Sequence, residues 1–171
     1  SNNVDDDSNI VFYLGADLSY VNEMEDCGAV YKNSDNQESD VFDIFETAGA
    51  NLIRVRLWHN PTWTNYSNLE DVKKTIRRAK YNNMSVLLDF HYSDTWADPT
   101  KQEIPFAWEI NLNNDSLLGD MMYDYTYSTL TTLDSLELSP EIVQIGNEIN
   151  PMILQKGNLQ WPIDWDRNSL L

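Results

Sequence analysis

The chain has 171 residues, enough for one domain with a core and short of the ~250 of a complete (β/α) barrel of eight units. Its 28 acidic and 11 basic residues give a net charge of -17, which repels phosphate backbones and anionic membrane surfaces and excludes nucleic acid as an expected partner. With 42% hydrophobic and 12% aromatic residues the composition is globular, so the acidity reads as a solvated surface.

Residues 1–9, which include Asp5-Asp6-Asp7, read as a flexible acidic arm ahead of a domain over 10–171; the arm is too polar for a signal peptide. A first strand is predicted over 11–16. Val41, Ile44, Phe45 and Ala48 then form a helical stripe that Gly49 closes. A second strand spans 51–57. Ser67 and Glu70 have capping-box spacing, ahead of a helix carried by Leu69, Val72, Ile76 and Ala79 and ending at Asn82-Asn83. A third strand covers 85–91. A long helix follows over 115–136 through Leu118, Met121, Met122, Tyr125, Leu133 and Leu136, then a fourth strand over 141–146. Asn168-Ser169-Leu170-Leu171 reads as the opening of another helix at an arbitrary stop. This β-α-β-α-β-α-β order calls for a parallel sheet with right-handed crossovers, either a barrel or a doubly wound sheet.

Side-chain parity separates the two. Ile53, Val55 and Leu57 share one face of the second strand and Arg54 and Arg56 the other; Val86, Leu88 and Phe90 oppose Leu87, Asp89 and His91; Val143 and Ile145 oppose Gln144, Gly146 and Glu148. A doubly wound sheet is apolar on both faces, whereas a barrel gathers functional groups at the C-terminal ends of its strands. The pattern therefore predicts the N-terminal half of a (β/α)8 TIM barrel, with about four strands and three helices. No glycine-rich phosphate loop follows any strand.

Glu148 ends the fourth strand beside Asn147. A carboxyl there is expected to be partly desolvated, which favours its neutral form and suits a general acid that protonates a glycosidic oxygen. Asn147 is placed to bond a sugar hydroxyl as charge develops. The competing use of the pair is to cap the following turn. Arg56 is placed to hold a carboxylate in a bidentate pair, and His91 to orient that carboxylate or a substrate hydroxyl. The alternatives are an interior salt bridge among Arg54, Arg56 and Asp89, preferred for Arg54 and Asp89, and a core histidine with both nitrogens satisfied.

The loop Tyr92-Ser93-Asp94-Thr95-Trp96-Ala97-Asp98-Pro99 mixes aromatic and acidic groups as a carbohydrate cleft does, with Tyr92 and Asp94 as candidate contacts and Trp96 as the leading stacking platform. A metal site at Asp94 and Asp98 would lack the ligand alternation, glycine and distal glutamate of a calcium loop. Trp58 either walls the other side of the cleft or packs beneath the loop. Cys27, the single cysteine, reads as a small buried residue, and no run of eighteen apolar residues marks a membrane span.

The segments GADLSYV (15–21), IRVRLWHNP (53–61), LLDFHYSDTWADP (87–99) and VQIGNEINP (143–151) together resemble the family 53 glycoside hydrolases, the arabinogalactan endo-β-1,4-galactanases. The resemblance implies retaining endo-hydrolysis of β-1,4-galactan, with Glu148 as acid/base, Asn147 as its preceding asparagine, and Arg56 and His91 as the active-site arginine and histidine. It also implies a role for Asp17 at the first strand end and for Trp96 in the substrate cleft. The family nucleophile, on the seventh strand, and the family calcium site, on later loops, fall outside this chain, so no metal or cofactor is expected in it. The 171-residue chain alone is expected to be inactive, and either a C-terminal half or a second copy is expected to close the barrel. The expected location is extracellular, periplasmic or anchored at the cell surface. The alternatives to a galactanase are a related mannanase or cellulase, and a noncatalytic glycan-binding protein.

Overall fold

In the computed structural model, which describes residues 12–171, four strands run parallel in chain order: β1 (Gly15–Asp17), β2 (Leu52–Leu57), β3 (Ser85–Phe90) and β4 (Ile142–Ile145). The arm at 1–9 and Val11 lie outside the described residues. In place of a longer first strand, Asn51 extends the pairing with its side chain, accepting from Leu14 N–H at 2.9 Å and donating to the Phe12 carbonyl at 2.8 Å. Around the sheet lie α1 (Val21–Asp26), α2 (Val41–Thr47), α3 (Leu69–Tyr81), a 3-10 segment at Phe106–Asn111, α4 (Asp115–Ser135) and α5 (Trp165–Asn168).

The helix starts follow capping chemistry. Asp40 caps α2 by accepting from Phe42 N–H, and Asn114 caps α4 by accepting from Leu117 N–H. The box expected from Ser67 and Glu70 is displaced by one residue. Ser67 has φ +56, outside the extended region an N-cap needs, so Asn68 caps α3 by accepting from Asp71 N–H, and Asp71 in turn accepts from Ser67 N–H at 2.7 Å. Glu70 instead points outward and pairs with Lys73. Gly49 follows α2 at φ +93, as the sequence predicts. Two expectations fail locally. Cys27 is exposed, because it is the C-cap of the short α1 at the surface. The helix expected to open at Asn168 ends there instead, with Asp164 as its cap.

The core forms where parity places it. Ile53, Val55, Leu57, Val86, Leu88 and Phe90 are buried against Phe42 of α2 and Val72, Ile76 and Ala79 of α3, with Leu118 and Leu133 of α4 completing the cluster. Each such aliphatic or aromatic side chain contributes roughly 1.5–3 kcal/mol by leaving water. The same face of β4 is less covered, with Ile145 48% exposed. Arg78 of α3 ties the outer layer together through a fork onto Glu25 (2.7 and 2.8 Å) and a bond to Asp40 (2.8 Å). Among the described residues no helix is long and apolar enough to cross a membrane.

Candidate active site

At the C-terminal ends of the strands, one polar row crosses the sheet. Arg54 of β2 reaches Asp17 of β1 at 2.5 Å, Asp89 of β3 at 2.5 Å and the Asn147 side-chain oxygen at 2.9 Å. Asp89 is fully buried and lies 3.0 Å from His91 Nε2, while Trp58 Nε1 donates to His91 Nδ1 at 3.2 Å. An indole nitrogen only donates, so Nδ1 is the bare nitrogen and Nε2 carries the proton. Trp58, His91, Asp89, Arg54 and Asn147 thus form one continuous row of polar contacts.

Among the described residues the arginine paired with carboxylates is Arg54, and the interior salt bridge expected for Arg54 and Asp89 is present. Arg56 lies two residues further along β2, at the level of the loops, where rings close over it. Its guanidinium carbon is 4.1 Å from the Tyr20 ring centroid, 4.3 Å from Trp96 and 4.7 Å from Trp58, and its Nε donates to Ser67 Oγ at 3.0 Å. Burial draws its pKa below the ordinary guanidinium value, against the opposing pull of Tyr20 and Asp17. His91 has both nitrogens engaged inside the protein and so orients Asp89 instead of reaching toward a substrate.

The aromatic residues divide between support and surface. Trp58 is buried under the others, so it supports the cleft and does not wall it. Trp96, at 43% exposed, lies edge-on to Trp58 and over Arg56, with Tyr20 beside it. Trp63 packs on Trp58, is exposed, and donates from Nε1 to the Asp94 carbonyl at 3.0 Å. These open ring faces can stack on sugar rings. Tyr92 turns away from them. At φ +48 it stacks on Phe90 and bonds Thr126 of α4 at 2.7 Å, and burial raises the pKa of its phenol.

Asp94 also takes a role other than the expected substrate contact. One oxygen accepts from Asn60 N–H at 2.8 Å and lies 3.3 Å from His59 Nδ1; the other accepts from Phe106 N–H at 2.9 Å. Burial alone would raise its pKa, but the His59 contact and the two backbone donors outweigh burial and hold it below the ordinary value. Asp94 therefore staples the loop after β2 to the loop after β3.

Gly146 leaves β4 at φ +84, and a Cβ there would meet Ile149 Cγ2 at 2.5 Å, so glycine is required on both conformational and steric grounds. Asn147 follows, donating its side-chain amide to the Ala97 carbonyl at 2.8 Å while its oxygen meets Arg54. One amide hydrogen remains for a ligand. Glu148 then adopts φ +53 and is exposed. Among the described residues β4 pairs with β3 alone, and Glu148 lies three residues beyond the last strand residue, Ile145. Asp17 and Asp89 are ion-paired, Asp94 is held by loop donors and Asp98 accepts from Thr100 and from Lys101 N–H, whereas the Glu148 carboxyl has neither an ion pair nor a side-chain hydrogen bond among the described residues.

The loops after β3 and β4 are zipped by backbone bonds: Ile104 N–H to the Gln155 carbonyl (2.7 Å), Gln155 N–H to the Gln102 carbonyl (2.8 Å) and Leu159 N–H to the Thr100 carbonyl (2.8 Å). Gln102, Tyr20 and Trp63 received no role from the sequence. Tyr20 and Trp63 lie outside the strands and the loop after β3, and Gln102 carries no charge or aromatic ring to single it out. Among the described residues no three His, Cys, Asp or Glu side chains converge as metal ligands would.

Four parallel strands in chain order, with a polar mouth at their C-terminal ends, define the half of a (β/α)8 barrel enzyme. Residues 13–171 match the model of glycosyl hydrolase family 53, and the chain belongs to that family. It is 54% identical over 165 residues to an arabinogalactan endo-beta-1,4-galactanase of Cellvibrio japonicus (strain Ueda107), covering 95% of this chain and 43% of that protein. It is 36% identical to an endo-beta-1,4-galactanase of Bacillus subtilis (strain 168), covering 91% and 36%. A structure from a study of two fungal beta-1,4-galactanases superposes with a TM-score of 0.82 at 35% identity, over 94% of this chain and 46% of that one. The family 53 catalytic domain of Ignisphaera aggregans superposes at 0.79 with 32% identity, over 93% and 45%. The chain thus spans less than half the length of these relatives.

Proposed function

We propose that residues 10–171 are the acid/base half of a retaining endo-β-1,4-galactanase acting on the galactan of type I arabinogalactan. The observation that carries this reading is Glu148: an exposed carboxyl without an ion pair at the mouth of the sheet, next to an asparagine fixed from both ends of its side chain. The names of the relatives supply the linkage. Glu148 protonates the departing glycosidic oxygen and later deprotonates the incoming water. Asn147 offers its remaining amide hydrogen to a sugar hydroxyl, while Trp96 and Tyr20 present ring faces to the polymer. The nucleophile comes from outside residues 12–171, placed about 5–5.5 Å from Glu148 as retention requires. Without it the 171-residue chain alone is inactive. A polymer of this size cannot enter a cell intact, so the protein works in the extracellular or periplasmic space or at the cell surface.

The test uses the full-length protein, with reducing-sugar release measured on β-1,4-galactan, mannan and cellulose derivatives. Galactan is the preferred substrate, and Glu148→Gln lowers kcat on the order of 10³-fold while galactan binding persists. Undiminished turnover in Glu148→Gln removes the acid/base assignment. A preference for mannan or cellulose removes the galactanase assignment, and binding without any turnover in the parent protein makes it a glycan binder.

A further inference from the structure

Gln102 lies in the loop after β3, carries no charge and is only 2% exposed. Its side-chain amide nitrogen donates to the Asn147 carbonyl at 2.7 Å and to the Asp98 carbonyl at 3.1 Å, with a longer contact of 3.4 Å to the Glu148 carbonyl. The Asn147 carbonyl belongs to the peptide unit before the Glu148 Cα, and the Glu148 carbonyl to the unit after it. The amide's two hydrogens, shared among three carbonyls, therefore hold the peptide plane before the Glu148 Cα closely and the plane after it more loosely, and rotation of these planes sets the direction of the Glu148 side chain. That backbone needs holding: Glu148 sits at φ +53, a left-handed conformation that a residue with a Cβ keeps only where its surroundings impose it. The grip is itself anchored, because the Gln102 carbonyl accepts from Gln155 N–H in the loop zipper. The same loop holds the neighbouring side chain through the bond from Asn147 to the Ala97 carbonyl.

We infer that Gln102 is a positioning residue for the acid/base, fixing the aim of Glu148 through the two peptide units that flank it. This rests on the reading of Glu148 given above. Gln102 touches no reacting atom. In kcat/KM, which reports the step that releases the leaving group, its effect is confined to substrates that need a correctly aimed proton donor, whereas a glutamine that merely filled space would affect every substrate alike.

The experiment compares kcat/KM of the full-length enzyme on β-1,4-galactan and on dinitrophenyl β-galactobioside, whose leaving group departs without a proton. Glu148→Gln is the reference and loses far more on galactan than on the dinitrophenyl substrate. Gln102→Met keeps the side-chain length and removes the donors; it is expected to lose on the order of 10²-fold on galactan and less than about threefold on the dinitrophenyl substrate. Equal losses on both substrates, or no loss on either, overturn the inference. Should Gln102→Met fail to fold, Gln102→Asn carries the same comparison, since it keeps the amide but is one methylene too short to span both carbonyls; equal losses there overturn the inference as well. If Glu148→Gln itself loses equally on the two substrates, the acid/base reading falls, and the role of Gln102 with it.

Discussion

On the helix side of β2 and β3, six side chains, Ile53, Val55, Leu57, Val86, Leu88 and Phe90, are buried with apolar neighbours from three helices. On the opposite side of the same strands, Arg54 and Asp89 are held by named partners at fixed distances, Asp17, His91 and Asn147. The first face needs only volume and hydrophobicity, so many arrangements of similar residues would satisfy it. The second depends on direction, because a buried charge without its partner is strongly unfavourable. Damage to the first face should therefore appear as lost stability with the chemistry intact in the molecules that remain folded. Damage to the second should appear in both.

The largest effect is expected on the apolar side. Phe90→Ala removes a fully buried ring beside Tyr92 and Tyr125 and should lower stability by roughly 3–5 kcal/mol in chemical denaturation, with activity per folded molecule unchanged. A loss of specific activity would break the division between faces. Arg54→Met should rank next. It leaves the Asp89 carboxylate buried with His91 as its remaining partner and removes one of the two ties on the Asn147 side chain, the other being its bond to the Ala97 carbonyl. Because the Arg54 side chain is 31% exposed, the expected loss is at the lower end for a broken buried pair, about 3 kcal/mol. Here specific activity on galactan should fall as well, and a variant with normal turnover would show that the polar row is only structural.

The smallest effect sharpens the comparison at the loops. The Asp94 carboxyl has a folded pKa below its ordinary value of 3.8, so its contribution to stability is complete above that value and is lost as pH falls through the lower folded value. Denaturation midpoints of the parent protein should decline on acidification below about pH 4 more steeply than those of Asp94→Asn, which has no proton to gain there. Identical pH slopes would mean that the staple between the loops contributes nothing.

How much of this was legible beforehand follows the same division. Parity along β2 and β3 placed all six core residues correctly, because a period of two is written directly in Ile53-Arg54-Val55-Arg56-Leu57; the ends of β2, β3 and β4 fell within a residue of expectation, whereas β1 starts at Gly15 and not at 11. The polar face was legible in kind but not in pairing. Parity puts Arg54 and Arg56 on one side, yet which of them meets a carboxylate depends on height along the strand and on what the loops cover. The rings of Tyr20 and Trp96, distant in sequence, claim Arg56. Tyr92 and Asp94 were misread for the same reason: after the strand ends the alternation stops, and the φ of +48 at Tyr92 turns its ring to the helix layer.

The backbone zipper between the loops after β3 and β4 bears on how such enzymes can be rebuilt. Loops on a barrel are commonly treated as interchangeable modules, each grafted on its own to alter specificity. Here Thr100, Gln102 and Ile104 exchange main-chain bonds with Gln155 and Leu159, so replacing either loop alone would strand donors and acceptors on the other. The smallest transplantable cassette on this side of the barrel is the pair.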